Sequence, residues 1–140
     1  MTAQAYTTEI LRLAASLGEP RELEGAHGQA ELRSPTCGSR ITLTVELDEH
    51  RRVKCVSQRV EACAFGQASA ALMEQGVTGK SHKETADALL DLSAWLSGAR
   101  DDPGDWPGLV VLEPARSRAG RHGAILLPFR TLLAALESAR

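Results

Sequence analysis

Apolar positions along the chain change their period several times, and each change predicts an element. Tyr6, Ile10, Leu13 and Leu17 recur at helical spacing after Thr7-Thr8-Glu9, which predicts an amphipathic helix over residues 6–17. Gly18 and Pro20 stop it. Residues 21–29 mix charges with two glycines at no period and read as a surface loop. From Ala30 the period becomes two: a short strand runs through Leu32, and after a turn Ile41, Leu43, Val45 and Leu47 alternate with Thr42, Thr44, Glu46 and Asp48. That alternation predicts a strand with one core face. Residues 48–52 make a polar turn, and residues 53–60 return as an antiparallel strand whose weaker alternation leaves its faces open. Cys55, between Val53 and Val56, reads as small buried filler in that strand.

Helical spacing resumes after Cys63 with Phe65, Ala68 and Leu72, among small residues that permit close packing on a sheet. Gly76 and Gly79 end this helix, and Ser81-His82-Lys83-Glu84 has the capping-box form for a third, with Ala88, Leu89, Leu92 and Leu96 facing inward. Residues 101–107, rich in Pro, Gly and Asp, form a connector. A short apolar piece over residues 109–112 leads into a basic turn over residues 116–123. The last helix carries Phe129, Leu132, Leu133 and Leu136, with Pro128 in its first turn. A helix, three short strands and then helices predict an α+β fold: one domain over residues 1–140, a small three-stranded antiparallel sheet with helices packed on one face.

Composition narrows the function classes. At 140 residues the chain can bury a core without covalent staples. Three cysteines are too few and too odd a number for a disulfide framework, and the first residues lack the pattern of a secretory signal, so a cytoplasmic protein with free or metal-bound thiols is expected. No apolar run has the length of a membrane span. A net charge of −2 argues against a nucleic-acid binder. Arg116, Arg118, Arg121 and Arg130 form the one basic cluster, read as a solvated loop with docking to an acidic partner as the functional alternative.

The candidate chemistry lies in two cysteine turns, Ser34-Pro35-Thr36-Cys37-Gly38-Ser39 and Glu61-Ala62-Cys63-Ala64-Phe65-Gly66. Cys63 directly precedes a predicted helix, where unpaired N–H groups and the positive end of the helix dipole favour the thiolate. Cys37 sits in a turn whose amides can point at sulfur. A hairpin separates the two, so both belong at the same end of the sheet. Thiolates at such positions suit soft metals or persulfide chemistry. His122, in a Gly-flanked turn, is a third candidate that pattern alone does not place. His27, His50 and His82 read as surface residues. No phosphate-binding loop, dinucleotide fingerprint, HExxH or GxSxG motif is present.

These residues resemble the iron-sulfur cluster assembly scaffolds of the IscU, SufU and NifU N-terminal type. The opening helix with its Pro20-Arg21 loop, the Ser34-Pro35-Thr36-Cys37-Gly38 turn, Cys63 with its small-residue helix, Gly79-Lys80-Ser81 and the stretch from Arg121 to Phe129 each resemble a family segment, in order. The resemblance implies a scaffold or transfer protein rather than an enzyme, with the fold shared by IscU and SufE. It implies zinc, iron or a 2Fe-2S cluster bound by Cys37, Cys63 and His122, and a cysteine desulfurase and other iron-sulfur assembly proteins as partners of a monomer or homodimer. Two positions depart from the family pattern: Ser39 stands at the acidic position, and the third cysteine falls at or beside Gly123, with no cysteine after Cys63. The three remaining ligands leave a fourth position to water, a partner or a second copy. The alternative is a SufE-like persulfide acceptor for a cysteine desulfurase, using Cys37 or Cys63 without a cluster.

Overall fold

A computed structural model describes residues 6–35 and 38–139. The elements are α1 (Thr8–Ala15), β1 (Gly28–Arg33), β2 (Arg40–Leu47), β3 (Val53–Glu61), α2 (Ala64–Gly76), α3 (His82–Ser97), a 3-10 segment (Leu109–Ala115) and α4 (Ala119–Ser138). The strands form one antiparallel sheet in the order β1-β2-β3. It is the α+β arrangement expected, with the helices gathered on one face of the sheet.

Strict alternation makes β2 the central strand. Ile41, Leu43 and Val45 are fully buried beneath the helices, and Thr42, Thr44 and Glu46 face the other way. The weaker pattern of β3 has a local cause. The register against β2 pairs Glu46 with Cys55 and Leu47 with Val53, so Lys54 is an extra residue in a β-bulge. One added residue flips every side chain beyond it, which lets Val53 and Val56 both point inward although they are three apart. Cys55 lands on the outward face opposite Glu46, half-buried, with Sγ 3.9 Å from Glu46 Oε1. It is therefore no core filler, contrary to its reading between two valines.

The capping box of α3 forms as its sequence predicts: Glu84 N–H donates to Ser81 Oγ and Ser81 N–H donates to Glu84 Oε1, both at 3.1 Å. Trp106 anchors the Pro/Gly connector, giving its indole N–H to the Leu72 carbonyl at 3.0 Å and an edge-to-face contact to Phe129. Phe65, Met73, Leu92, Ile125 and Phe129 fill the space between helices and sheet. Each such side chain contributes roughly 1.5–3 kcal/mol by leaving water. Among the described residues no helix is long and apolar enough to cross a membrane.

The C-terminal region departs most from expectation. The basic turn predicted over residues 116–123 is partly helix, because α4 begins at Ala119 and Pro128 lies in its interior. Gly120, Gly123 and Pro128 each disfavour a helix locally. Burial of the whole stretch from Ala124 to Phe129 outweighs them.

Candidate functional site

The hairpin closes on a row of three cross-strand neighbours, Arg33, Arg40 and Glu61. Ser34 and Pro35 leave this row after Arg33, Gly38 and Ser39 lead back into it at Arg40, and Ala62 and Cys63 continue from Glu61. The loop is tied across its base: Ser34 N–H donates to the Ser39 carbonyl at 2.8 Å, and Gly38 N–H donates to the Ser34 carbonyl at 3.0 Å. Gly38 has φ +71°, a left-handed conformation that glycine adopts without steric cost. Ser34 and Ser39 are buried. Cys37 and Thr36 lie outside the described residues, but both ends of their loop stand at the Cys63 end of the sheet. Arg40 clasps Glu61 at 2.5 Å across this row. The Glu61 carboxyl is held below its ordinary value first by that hydrogen bond and then by the charges of Arg40, Arg59 and Arg33.

Cys63 is the N-cap of α2, with φ −67° and ψ 172°. Its side chain makes no capping hydrogen bond, and the half-buried thiol packs against the core. No acidic residue occupies the first turn of α2, so the positive end of the helix faces the sulfur without a competing carboxylate. Close packing joins this end of α2 to the start of α4. A Cβ on Gly66 would stand 3.3 Å from both the Cβ and the carbonyl oxygen of Ala124. One turn later the fully buried Ser69 donates its hydroxyl to the Ile125 carbonyl at 2.6 Å. Pro128 cannot donate to the Ala124 carbonyl, the usual acceptor four residues earlier.

His122 occupies the first turns of α4 rather than a solvated turn. Its Nε2 lies 2.9 Å from the Ala115 carbonyl and 3.2 Å from that of Arg116. Carbonyl oxygens only accept, so Nε2 carries the proton, and in the neutral ring Nδ1 holds the free lone pair. Among the described residues, which exclude Cys37, no three His, Cys, Asp or Glu side chains stand together as a metal-holding group. Two of the three candidates, Cys63 and His122, thus sit at the beginnings of helices whose adjoining turns touch.

One contributor escaped sequence reasoning. Arg116, read as part of a solvated basic cluster, is half-buried: Nε donates to the Trp95 carbonyl at 2.9 Å, Nη2 to the Arg100 carbonyl at 3.2 Å, and the guanidinium stacks 5.1 Å from the Trp95 ring. It ties the end of α3 to the backbone that receives the His122 proton. Nothing in residue spacing signals this, because the acceptors are main-chain atoms. Arg118, Arg121 and Arg130 are exposed, as expected. Replacing Arg116 by alanine is expected to lower unfolding free energy by about 1–3 kcal/mol, because the Arg100 carbonyl loses its donor and the Trp95 carbonyl keeps only the Gly98 N–H. It is also expected to move the His122 imidazole ¹⁵N resonances, read by long-range ¹H–¹⁵N spectra; an unchanged imidazole signal would disconnect Arg116 from His122.

Residues 6–93 match the family model of the NifU-like N terminal domain. The chain is 34% identical over 82 residues to the iron-sulfur cluster assembly scaffold protein IscU of Streptococcus pyogenes serotype M1, covering 59% of this chain and half the length of that protein. It is 25% identical over 132 residues to the IscU scaffold protein of Thermotoga maritima, covering 94% of this chain and 92% of that one. A crystal structure of a nitrogen-fixing NifU-like protein (N-terminal) from Brucella abortus superposes with a TM-score of 0.85 at 26% identity, over 96% of this chain and 94% of that one. The SUF-system protein FiSufU from Fervidobacterium islandicum shares the fold with a TM-score of 0.84 at 23% identity, over 94% and 96% of the two chains. Family match, relatives and shared fold agree with the cysteine turns that first suggested the assignment: the chain belongs to the NifU-like N-terminal domain family, the family of the IscU-type iron-sulfur cluster assembly scaffolds.

Proposed function

We propose that the chain acts as a scaffold in iron-sulfur cluster assembly, holding iron, zinc or a nascent 2Fe-2S cluster as cargo on Cys37, Cys63 and His122. The observation that carries this reading is the neighbourhood of the elements that bear these residues. The Cys37 loop and Cys63 leave the same cross-strand row, and the helix begun by Cys63 abuts the helix that carries His122. The donor chemistry fits. Cys63 Sγ is not used in capping, and the Nε2–H bonds of His122 reserve Nδ1, the arrangement in which backbone carbonyls orient ligating imidazoles. Two thiolates and an imidazole suit zinc with one open position, or part of a cluster shell completed by water, a partner or a second copy. In this reading the chain is a cytoplasmic transfer protein that turns over no substrate. It receives sulfur from a cysteine desulfurase and works with the other assembly proteins as a monomer or homodimer.

Anaerobic purification followed by iron, sulfide and zinc analysis tests the reading, with about one metal site per chain expected. Protein that stays metal-free after reconstitution overturns it. The placement of Cys63 at a helix start, with no capping bond to its sulfur, also suits the SufE-like alternative. There the thiolate attacks the terminal sulfur of a desulfurase persulfide, forms a Cys63 persulfide and releases the desulfurase thiolate. One added sulfur atom on one cysteine by mass spectrometry, with no metal bound, selects that reading.

A further inference from the structure

The outward face of the sheet carries a second cluster that includes none of Cys37, Cys63 and His122. Next to the Arg33–Arg40–Glu61 row runs Glu31–Thr42–Arg59, and beyond it Gln29–Thr44–Ser57. The segment leaving α1 folds over the free edge of β3, where Arg21 N–H donates to Ser57 Oγ at 2.7 Å. Strands and segment enclose a depression of about 340 Å³ whose walls include Arg21, Arg40, Arg59, Thr42, Thr44 and Ser57.

Its charges are unevenly satisfied. Arg40 is paired with Glu61. Glu31, the one carboxylate lining the depression, accepts a hydrogen bond from Thr42 Oγ1 at 2.9 Å. Arg21 and Arg59 have no carboxylate within ion-pair distance among the described residues. Two guanidinium groups on one concavity repel, and an anion between them removes that cost. Ser57 is only 7% exposed. Its oxygen is taken by the Arg21 N–H, while its own proton has no acceptor among the described residues. The depression thus offers planar, multidentate donors on its walls and a recessed hydroxyl donor, the complement of an oxyanion with several acceptor oxygens.

We propose that this depression is an oxyanion-binding site that takes the phosphate or carboxylate group of a small molecule on Arg21, Arg59 and the Ser57 hydroxyl. A compact group reaches the recessed Ser57 hydroxyl, which favours a small ligand over the acidic side chains of a partner protein. Binding there is independent of metal at Cys37, Cys63 and His122, so either reading can fail alone.

The test is an NMR titration of the metal-free chain at fixed ionic strength with inorganic phosphate, with citrate and, separately, with a hexaglutamate peptide. Expected are saturable shifts of the Arg21 and Arg59 Nε–H signals and the Ser57 amide with phosphate or citrate. The affinity is expected to weaken about ten-fold or more in Arg21→Gln/Arg59→Gln. Arg59→Gln alone should lose part of it. Arg130→Gln, an exposed position on α4 on the opposite side of the sheet, should lose none. Shifts that never saturate, an equal response in the double variant, or binding by the peptide alone would overturn the proposal.

Discussion

Replacing Cys63 by alanine is expected to abolish metal retention while leaving the chain folded. The thiol is half-buried at the start of α2 and makes no capping bond, so its loss removes little packing and no hydrogen bond to the helix. A cost of about 1 kcal/mol or less in unfolding free energy follows from deleting one partly exposed sulfur. Its loss as a ligand is a different matter. A site built from two thiolates and one imidazole keeps only two protein ligands, too few to compete with a chelator for zinc or to hold a cluster. Zinc retained against a chromogenic chelator should fall to background in Cys63→Ala, and also in Cys37→Ala. The Cys55→Ala control should bind as the parent chain does, since Cys55 sits on the outward face beside Glu46. Equal retention by the Cys63 variant and the parent would sink the proposed ligand set.

Replacing Gly66 by valine is expected to destabilise the fold by about 2–3 kcal/mol through overpacking. Helix propensity alone gives the opposite sign, since glycine is the worst ordinary residue in a helix interior by up to ~1 kcal/mol. The geometry decides the sign. The first side-chain carbon would already lie 2.7 Å from Ala62 Cβ and 3.3 Å from both the Cβ and the carbonyl oxygen of Ala124. None of these is the end of a flexible side chain, so α2 must move away from α4. That displacement separates Cys63 from the start of α4, and metal loss should exceed what the lowered stability explains. Urea unfolding together with metal dissociation rates under native conditions measures both effects. A valine variant more stable than the parent would show that the seam has room to spare.

The parts of the fold governed by local chemistry were legible in the sequence, and those governed by distant packing were not. Alternation in β2 and the Ser81–Glu84 box each carry their signal within a few residues, and both elements form as expected. The bulge at Lys54 is invisible locally because it is a property of the pairing with β2, and it carried Cys55 to the unexpected face. The early start of α4 was hidden for the opposite reason. Gly120, Gly123 and Pro128 give true local signals against a helix, and contacts from α2 and the sheet overrule them. That the flanks of the 34–39 loop and Cys63 stand at the same end of the sheet was readable, because a hairpin returns the chain to its starting end. The carbonyl partners of His122 and the clamp by Arg116 involve main-chain atoms that no residue pattern records.

The seam between α2 and α4 also sets how loading and folding are coupled. The Ser69–Ile125 bond joins residues 56 apart in sequence, so the start of α2 and the start of α4 are held beside each other only while the long-range fold is intact. A ligand gripped by both helix starts therefore binds the native state and not partly opened forms. At one hundred times its dissociation constant, such a ligand adds about 2.7 kcal/mol to global stability. Loaded and emptied chains should accordingly differ in melting temperature and in the slowest amide exchange, and cargo that leaves also withdraws a crosslink that held two distant segments together.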